Sequence, residues 1–326
     1  MIENKNKKRI GILRGGAGKH YASSLKKGGE IITHIFENLS DKYKIIDILI
    51  DQDYLWHING VPILPADLIN KIDVVWNTSH TSFSNILDSL SIPNVGTPFF
   101  VSGLENSRDL LHEHIKSINL QMPKSVILPV YQKDFDARPP SLRSGESGRG
   151  QQEQYAIKKA KEIHGKFCAP WVVKSFTEDS NMGIHLAKTF PELVNAIEDG
   201  VKHEKSILVE EFIAGKVAST HSVLGFRGHL SAQAGDIYTF PLGNTFGNFS
   251  LEEKEKLVNL TKILHKHIGA KYYLKSDFVL TPRGKVYLLS IGSMPDLKVG
   301  SHFSQVCESV GAKTHQVIEH ILEQAL

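Results

Sequence analysis

The chain has 326 residues, 41% hydrophobic and 22% charged, enough apolar material for roughly two or three packed domains. Its 38 Lys+Arg nearly balance 35 Asp+Glu, leaving a net charge of +3, which argues against the single-sign face of a nucleic-acid binder. Two cysteines, a polar N-terminus and no run of ~20 apolar residues exclude a disulfide framework, a signal peptide and a membrane span, and a reducing cytoplasm fits.

The basic run Lys5 to Arg9 reads as a solvated tail before a first strand, Lys8 to Leu13, that enters the glycine turn Gly15 to Gly18. That turn does not have dinucleotide spacing and reads as a tight strand-to-helix connection whose amides face a ligand's anion. The following helix places Ile31, Ile32, Ile35 and Phe36 on one inward face. Strands follow at Tyr43 to Ile50 and Ile72 to Trp76, a helix at Phe83 to Leu90, and a short strand or turn at Pro93 to Gly96. Strands alternating with helices predict a parallel sheet with helices on its faces.

Residues 134–154 combine Pro, Gly, Ser and charge with little apolar content and read as a mobile surface insertion. Beyond it come a helix from Tyr155 to Ile163, a buried strand from Trp171 to Lys174, a helix from Pro191 to Val201 and a strand from Ser206 to Ile213. Leu251 to Ile268 is an amphipathic helix, and Leu274 to Leu280 and Val286 to Leu289 are strands.

Several charged residues stand where charge is costly. Lys174 ends an apolar strand, so its ammonium either meets an anion or snorkels to solvent, and the loop after it, with Thr177, Ser180 and Gly183, is suited to wrapping phosphate. Asp277 lies inside an apolar strand and needs a metal, a cation or several donors. Lys275 shares its face because strand side chains alternate, so a structural Lys–Asp pair is the plain alternative to a metal site. Glu210 and Glu211 close a strand at a domain junction, where a carboxylate and the next amides could read a purine edge.

Taken in order, these segments resemble the ATP-grasp superfamily and, within it, the D-alanine–D-alanine ligases. The opening Ile10 to Gly16 with Ser23 to Leu25, the Ser91 to Thr97 stretch, Val173 to Gly183, Leu208 to Ile213, and Lys275-Ser-Asp277 are each similar to a family motif, so the likeness spans nearly the whole chain. The resemblance implies a Rossmann-like parallel α/β domain (1–104) followed by a two-lobed ATP-grasp α+β fold, with a central lobe (105–212) and a C-terminal lobe (213–326). By the same resemblance Arg108 and Lys174 would hold the phosphates of ATP, Glu210, Glu211 and the Ile213 backbone the purine, Asp277 a magnesium ion, and Lys275 the transferring phosphate. Ser180 would orient the substrate side, and His80, Ser301 and His302 would contact small amino-acid-like substrates.

The resemblance also implies a homodimer and an acylphosphate intermediate, formed when ATP phosphorylates one carboxylate and attacked by an amine. Departures from the pattern are concentrated at the chemistry. His20 replaces the glutamate that receives the first substrate's ammonium, Val217 replaces a ribose-binding acid, and Ser290 and Gly292 replace two further metal ligands, with Asp296 just beyond. The lid loop is shortened around Asp236 to Asn248. Two functions follow: a carboxylate–amine ligase with a depleted metal site, or a catalytically impaired nucleotide-binding scaffold or sensor.

Overall fold

Ile10, Ile12 and Leu13 are fully buried because β1 (Lys8–Gly15) is an inner strand with an apolar layer on each face. The computed structural model describes residues 7–18, 20–131, 148–176, 182–203, 206–226, 236–242 and 248–326. Helix α1 (Tyr21–Asn38) sets Ile31 and Ile35 against Ile10, Ile12, Val74 and Trp76 on one face. On the other face Leu13, Ile48, Ile50 and Val75 pack with Phe83 and Leu87. β1 pairs in parallel with β2 (Tyr43–Ile50) and with a later strand at Val74–Asn77. Between them the short β3 (Trp56–Ile58) and β4 (Val61–Ile63) add antiparallel strands at one edge. With β5 (Val74–Asn77), α2 (Ser82–Ser89) and β6 (Asn94–Val95) the six-stranded order is β4-β3-β2-β1-β5-β6. Helices α3 (Phe99–Asn106) and α4 (Arg108–Ile115) follow.

Two expectations fail here. Phe36 is 70% exposed, because it sits one position past Ile35 and rotates off the apolar stripe. The glycine turn does not offer its first amides to a ligand: the Gly15 N–H donates to Ser24 Oγ at 2.9 Å and the Gly16 N–H to the Ile50 carbonyl at 2.8 Å. Gly15 is required by its left-handed φ of +93° and by the Ile50 oxygen, which a Cβ would approach to 2.1 Å.

Residues 122–214 form a compact unit, and residues 1–121 with 215–326 form another. In the smaller one, β7 (Ser125–Leu128), α5 (Gly148–His164), β8 (Trp171–Ser175), β9 (His185–Ala187), α6 (Phe190–Lys202) and β10 (Ile207–Glu211) build an antiparallel sheet ordered β7-β10-β8-β9. Its core joins Trp171, Val173, Ile207 and Val209 to Ala156, Ala160 and Ile163 of α5 and Leu193 and Ile197 of α6. Of the insertion expected at 134–154, residues 148–154 belong to α5, and 134–147 lie outside the described residues.

The third sheet belongs to the larger unit and has the order β12-β11-β13-β14. It comprises β11 (Lys216–Leu224), β12 (Ile237–Thr239), β13 (Tyr273–Leu280) and β14 (Val286–Gly292), all antiparallel. Helix α7 (Leu251–Ile268) is bounded by a capping box between Ser250 and Glu253 and by Gly269 at φ +71°. Helices α8 (His302–Ser309) and α9 (Thr314–Ala325) close the chain, their Phe303, Val306, Ile318 and Ile321 packing in the same cluster as Ile10 and Trp76.

Candidate active site

Alternation along β13 buries Leu274, Ser276 and Phe278 and leaves Lys275 and Asp277 together on the other face. The antiparallel register then sets Ser219 of β11 and Ser290 of β14 beside Asp277. Both hydroxyls donate to the carboxylate at 2.5 Å, Ser219 to Oδ1 and Ser290 to Oδ2, and the Lys275 ammonium stands 3.2 Å from Oδ2. Burial pushes the Asp277 carboxyl up, but the Lys275 charge and the donated hydroxyls outweigh it and hold the group below its ordinary value. Asp277 is therefore an ionised, oriented carboxylate. The Lys–Asp pair read as a plain alternative is present, and it is compatible with a phosphate-facing role because the lysine remains partly exposed.

Oδ2 is engaged by two donors, whereas Oδ1 accepts one hydrogen bond and keeps acceptor capacity. No group of three His, Cys, Asp or Glu side chains able to hold a metal occurs among the described residues. The donor set therefore fits a magnesium ion carried in on a triphosphate and touched by one carboxylate, since magnesium commonly keeps phosphate and water ligands, rather than a preformed protein cage. Asp296 is exposed and its Oδ1 accepts from the Lys298 amide at 3.2 Å.

Beside this face lies a histidine pair. His221 of β11 is 3% exposed, and its Nδ1 lies 2.6 Å from the Tyr273 hydroxyl. Its Nε2 lies 2.7 Å from Nδ1 of His302, the first residue of α8. Burial, then the neighbouring His302 and Lys275, push His221 down to about 3, so it is neutral at pH 7. Burial and Lys275 also lower His302. Ser301 caps α8: its hydroxyl accepts from the Ser304 amide at 3.2 Å and donates to the Asp296 carbonyl at 2.8 Å.

Arg108 is 7% exposed at the start of α4, and its guanidinium donates to the Leu289 carbonyl in the middle of β14. His20 is exposed before α1, and exposed His80 turns its Nδ1 to the Ser82 hydroxyl at 2.8 Å. Val217 is 37% exposed. All of these belong to the larger unit.

The smaller unit carries the remaining candidates. Register places Lys174 of β8 beside Leu208 and Glu210 beside Val172, and across this ladder the Lys174 ammonium meets the Glu210 carboxylate at 2.8 Å. Glu210 is 3% exposed, so its charge needs that cation. Glu211, half-buried, donates its amide to the Lys124 carbonyl, and the Phe212 amide donates to Pro170, so regular pairing runs out immediately before Ile213. Ser180 and Thr177 lie outside the described residues, as do 243–247 of the shortened lid loop.

Ser219 and His221 were not singled out from sequence. The only signal for them is the polar run Ser219 to Ser222 inside a strand bounded by apolar residues, in which Thr220, His221 and Ser222 are buried.

Comparison with known proteins agrees with this architecture. The family model described as D-ala D-ala ligase C-terminus matches residues 146–239. A D-alanine–D-alanine ligase of Fervidobacterium nodosum is 23% identical, over 97% of this chain and 98% of its own length. The VanG D-Ala:D-Ser ligase of Enterococcus faecalis superposes with a TM-score of 0.68 at 19% identity, covering 98% of this chain and 100% of that one. The D-alanine–D-alanine ligase of Bacillus anthracis complexed with ATP gives 0.62 at 18% identity, covering 98% and 96%. The fold is the ATP-grasp fold with its preceding α/β domain. Within that class the chain is similar to D-alanine–D-alanine ligases over nearly its whole length, at 23% identity to the Fervidobacterium nodosum enzyme.

Proposed function

We propose that this chain is an ATP-dependent carboxylate–amine ligase of the D-alanine–D-alanine type, making a peptidoglycan precursor or related dipeptide. The observation that carries the reading is the ionised Asp277 with Lys275 beside it, held at the centre of a sheet by Ser219 and Ser290. ATP would phosphorylate the carboxylate of one amino acid, and the amine of a second would attack the acylphosphate and release phosphate. Lys275 and Arg108 in the larger unit, and Lys174 within its own unit, are the cations this reading assigns to phosphate, and the protein's work is positioning and charge neutralisation. Magnesium bound on the nucleotide would add charge neutralisation at Asp277.

His20, in place of an ammonium-binding acid, suits a carboxylate or neutral group on the first substrate. Glu210, Glu211 and the Ile213 backbone are the purine side of the same reading, Ser180 and His80 its substrate side. The three sheets, within residues 8–95, 125–211 and 216–292, support the division at 1–104, 105–212 and 213–326. No described helix is long and apolar enough to cross a membrane, and we place the enzyme in the cytoplasm as a homodimer acting on free amino acids.

A second reading is favoured by the engagement of both Asp277 oxygens within the protein: a nucleotide-binding scaffold or sensor with impaired catalysis. Phosphate release from ATP and magnesium across a panel of D- and L-amino acids separates the two. Stimulated release supports the ligase; silence with a retained ATP-induced rise in Tm supports the scaffold.

A further inference from the structure

We infer that Ser290 is a phosphoryl acceptor: without an amino-acid carboxylate in the site, its hydroxyl takes the γ-phosphate of ATP, an activity that rests on the nucleotide-binding part of the ligase reading. Three observations lead there. First, the Ser290 hydroxyl donates its proton to Asp277 Oδ2 at 2.5 Å, and among the described residues its oxygen accepts no hydrogen bond, so its lone pairs are uncommitted. Second, register sets Asp277 opposite Ser290 and Lys275 opposite Gly292, so acceptor, base and cation share one face of the third sheet. Third, that face has room beside the hydroxyl: Ser290 is half-buried, and a Cβ at Gly292 meets nothing nearer than the Lys275 Cβ at 4.0 Å.

Ser219 donates to the same carboxylate, but to Oδ1, whereas Ser290 shares Oδ2 with the Lys275 ammonium, 3.2 Å from that oxygen. A phosphoryl group arriving at Ser290 is therefore the one Lys275 neutralises. The step balances within the site. The Ser290 oxygen attacks the γ-phosphorus and forms an O–P bond. The bond from that phosphorus to the β–γ bridging oxygen breaks, and ADP leaves with the electron pair. The hydroxyl proton passes to Asp277 Oδ2 along the hydrogen bond it already makes, and from there to water. The product sets a phosphate dianion against the Asp277 carboxylate, and like-charge repulsion then opposes a second triphosphate. The reaction stops at a single phosphate per chain and closes the site.

The test is mass spectrometry of the phosphatase-treated full chain after incubation with ATP and magnesium, without amino acid. The expected product carries a single phosphoryl group, mapped to Ser290. Ser290→Ala is not modified, although ATP still raises its Tm; Ser290→Thr, which keeps the hydroxyl, is modified. Asp277→Asn slows the modification by roughly a hundredfold or more, the value of a lost general base. An unmodified parent chain, a phosphate on another residue, or the same modification in Ser290→Ala overturns the inference. Amino-acid-stimulated phosphate release from a chain that stays unmodified sinks it and leaves the ligase reading standing; a phosphorylated Ser290 without such release does the reverse.

Discussion

Acidification probes the burial of the histidines directly. His221 is pushed down to about 3, by desolvation first and then by His302 and Lys275, and His265, buried beneath Ser222, is pushed down to about 4 by desolvation. In the unfolded chain both titrate near the ordinary value of 6.5. Above that value both states hold neutral imidazoles and stability does not depend on these groups. As pH falls below 6.5 the unfolded chain binds protons that the folded chain refuses, so stability is lost progressively down to the folded values. At pH 4.5 the medium lies two units below the ordinary value, and at about 1.4 kcal/mol per unit each histidine costs about 2–3 kcal/mol. Together they remove about 5 kcal/mol, a large share of a typical folding free energy. Urea unfolding at pH 7.0 and 4.5 measures the loss. In His221→Phe the difference between the two pH values shrinks by about 2–3 kcal/mol, whatever the variant's stability at pH 7.0. A variant with the pH dependence of the parent would refute the assignment of a neutral, buried imidazole.

Other perturbations address the remaining parts of the site. Lys174→Ala strips the cation from the buried Glu210, which costs about 3 kcal/mol, and removes the proposed phosphate contact, so the Tm falls and ATP no longer raises it. A retained ATP shift in thermal unfolding contradicts the phosphate role. The double variant Ser290→Glu with Gly292→Asn returns ligands next to Asp277, and there is room, since a Cβ at Gly292 meets nothing nearer than the Lys275 Cβ at 4.0 Å. The magnesium needed for half-maximal ATP stabilisation drops roughly tenfold, as for one added charged ligand; an unaltered metal response counts against the site. Gly15→Ala forces a side chain into φ +93° and to 2.1 Å from the Ile50 oxygen, and destabilises by on the order of 3 kcal/mol. An unchanged urea midpoint contradicts the turn geometry.

What the sequence disclosed and what it hid differ by range. Helix α7 was readable to its ends, because a local pattern of apolar spacing, a Ser250 cap and a terminating Gly269 specifies it. Strands β1 and β13 were readable for the same reason, and the pairing of Lys275 with Asp277 follows from alternation alone. Ser219 and His221 were not, because their neighbours Asp277 and His302 are 58 and 81 residues away, the first reached through the antiparallel register of β11 on β13 and the second through the packing of α8. The turn amides at Gly15 and Gly16 misled for a related reason: Ser24 and Ile50 reach them from other elements and take their hydrogen bonds. Lys174 was readable as an anomaly in an apolar strand, but that its counter-charge is Glu210 required the pairing of β8 with β10.

The central claim is acyl transfer through a phosphorylated carboxylate, and its oxygen leaves a trace. Incubating the protein with ATP, magnesium and D-alanine labelled with 18O in its carboxylate, and analysing the phosphate by mass spectrometry, reads that trace. The account predicts one 18O per phosphate released, together with a dipeptide. Phosphate that carries no label, or none released above the level without amino acid, contradicts it.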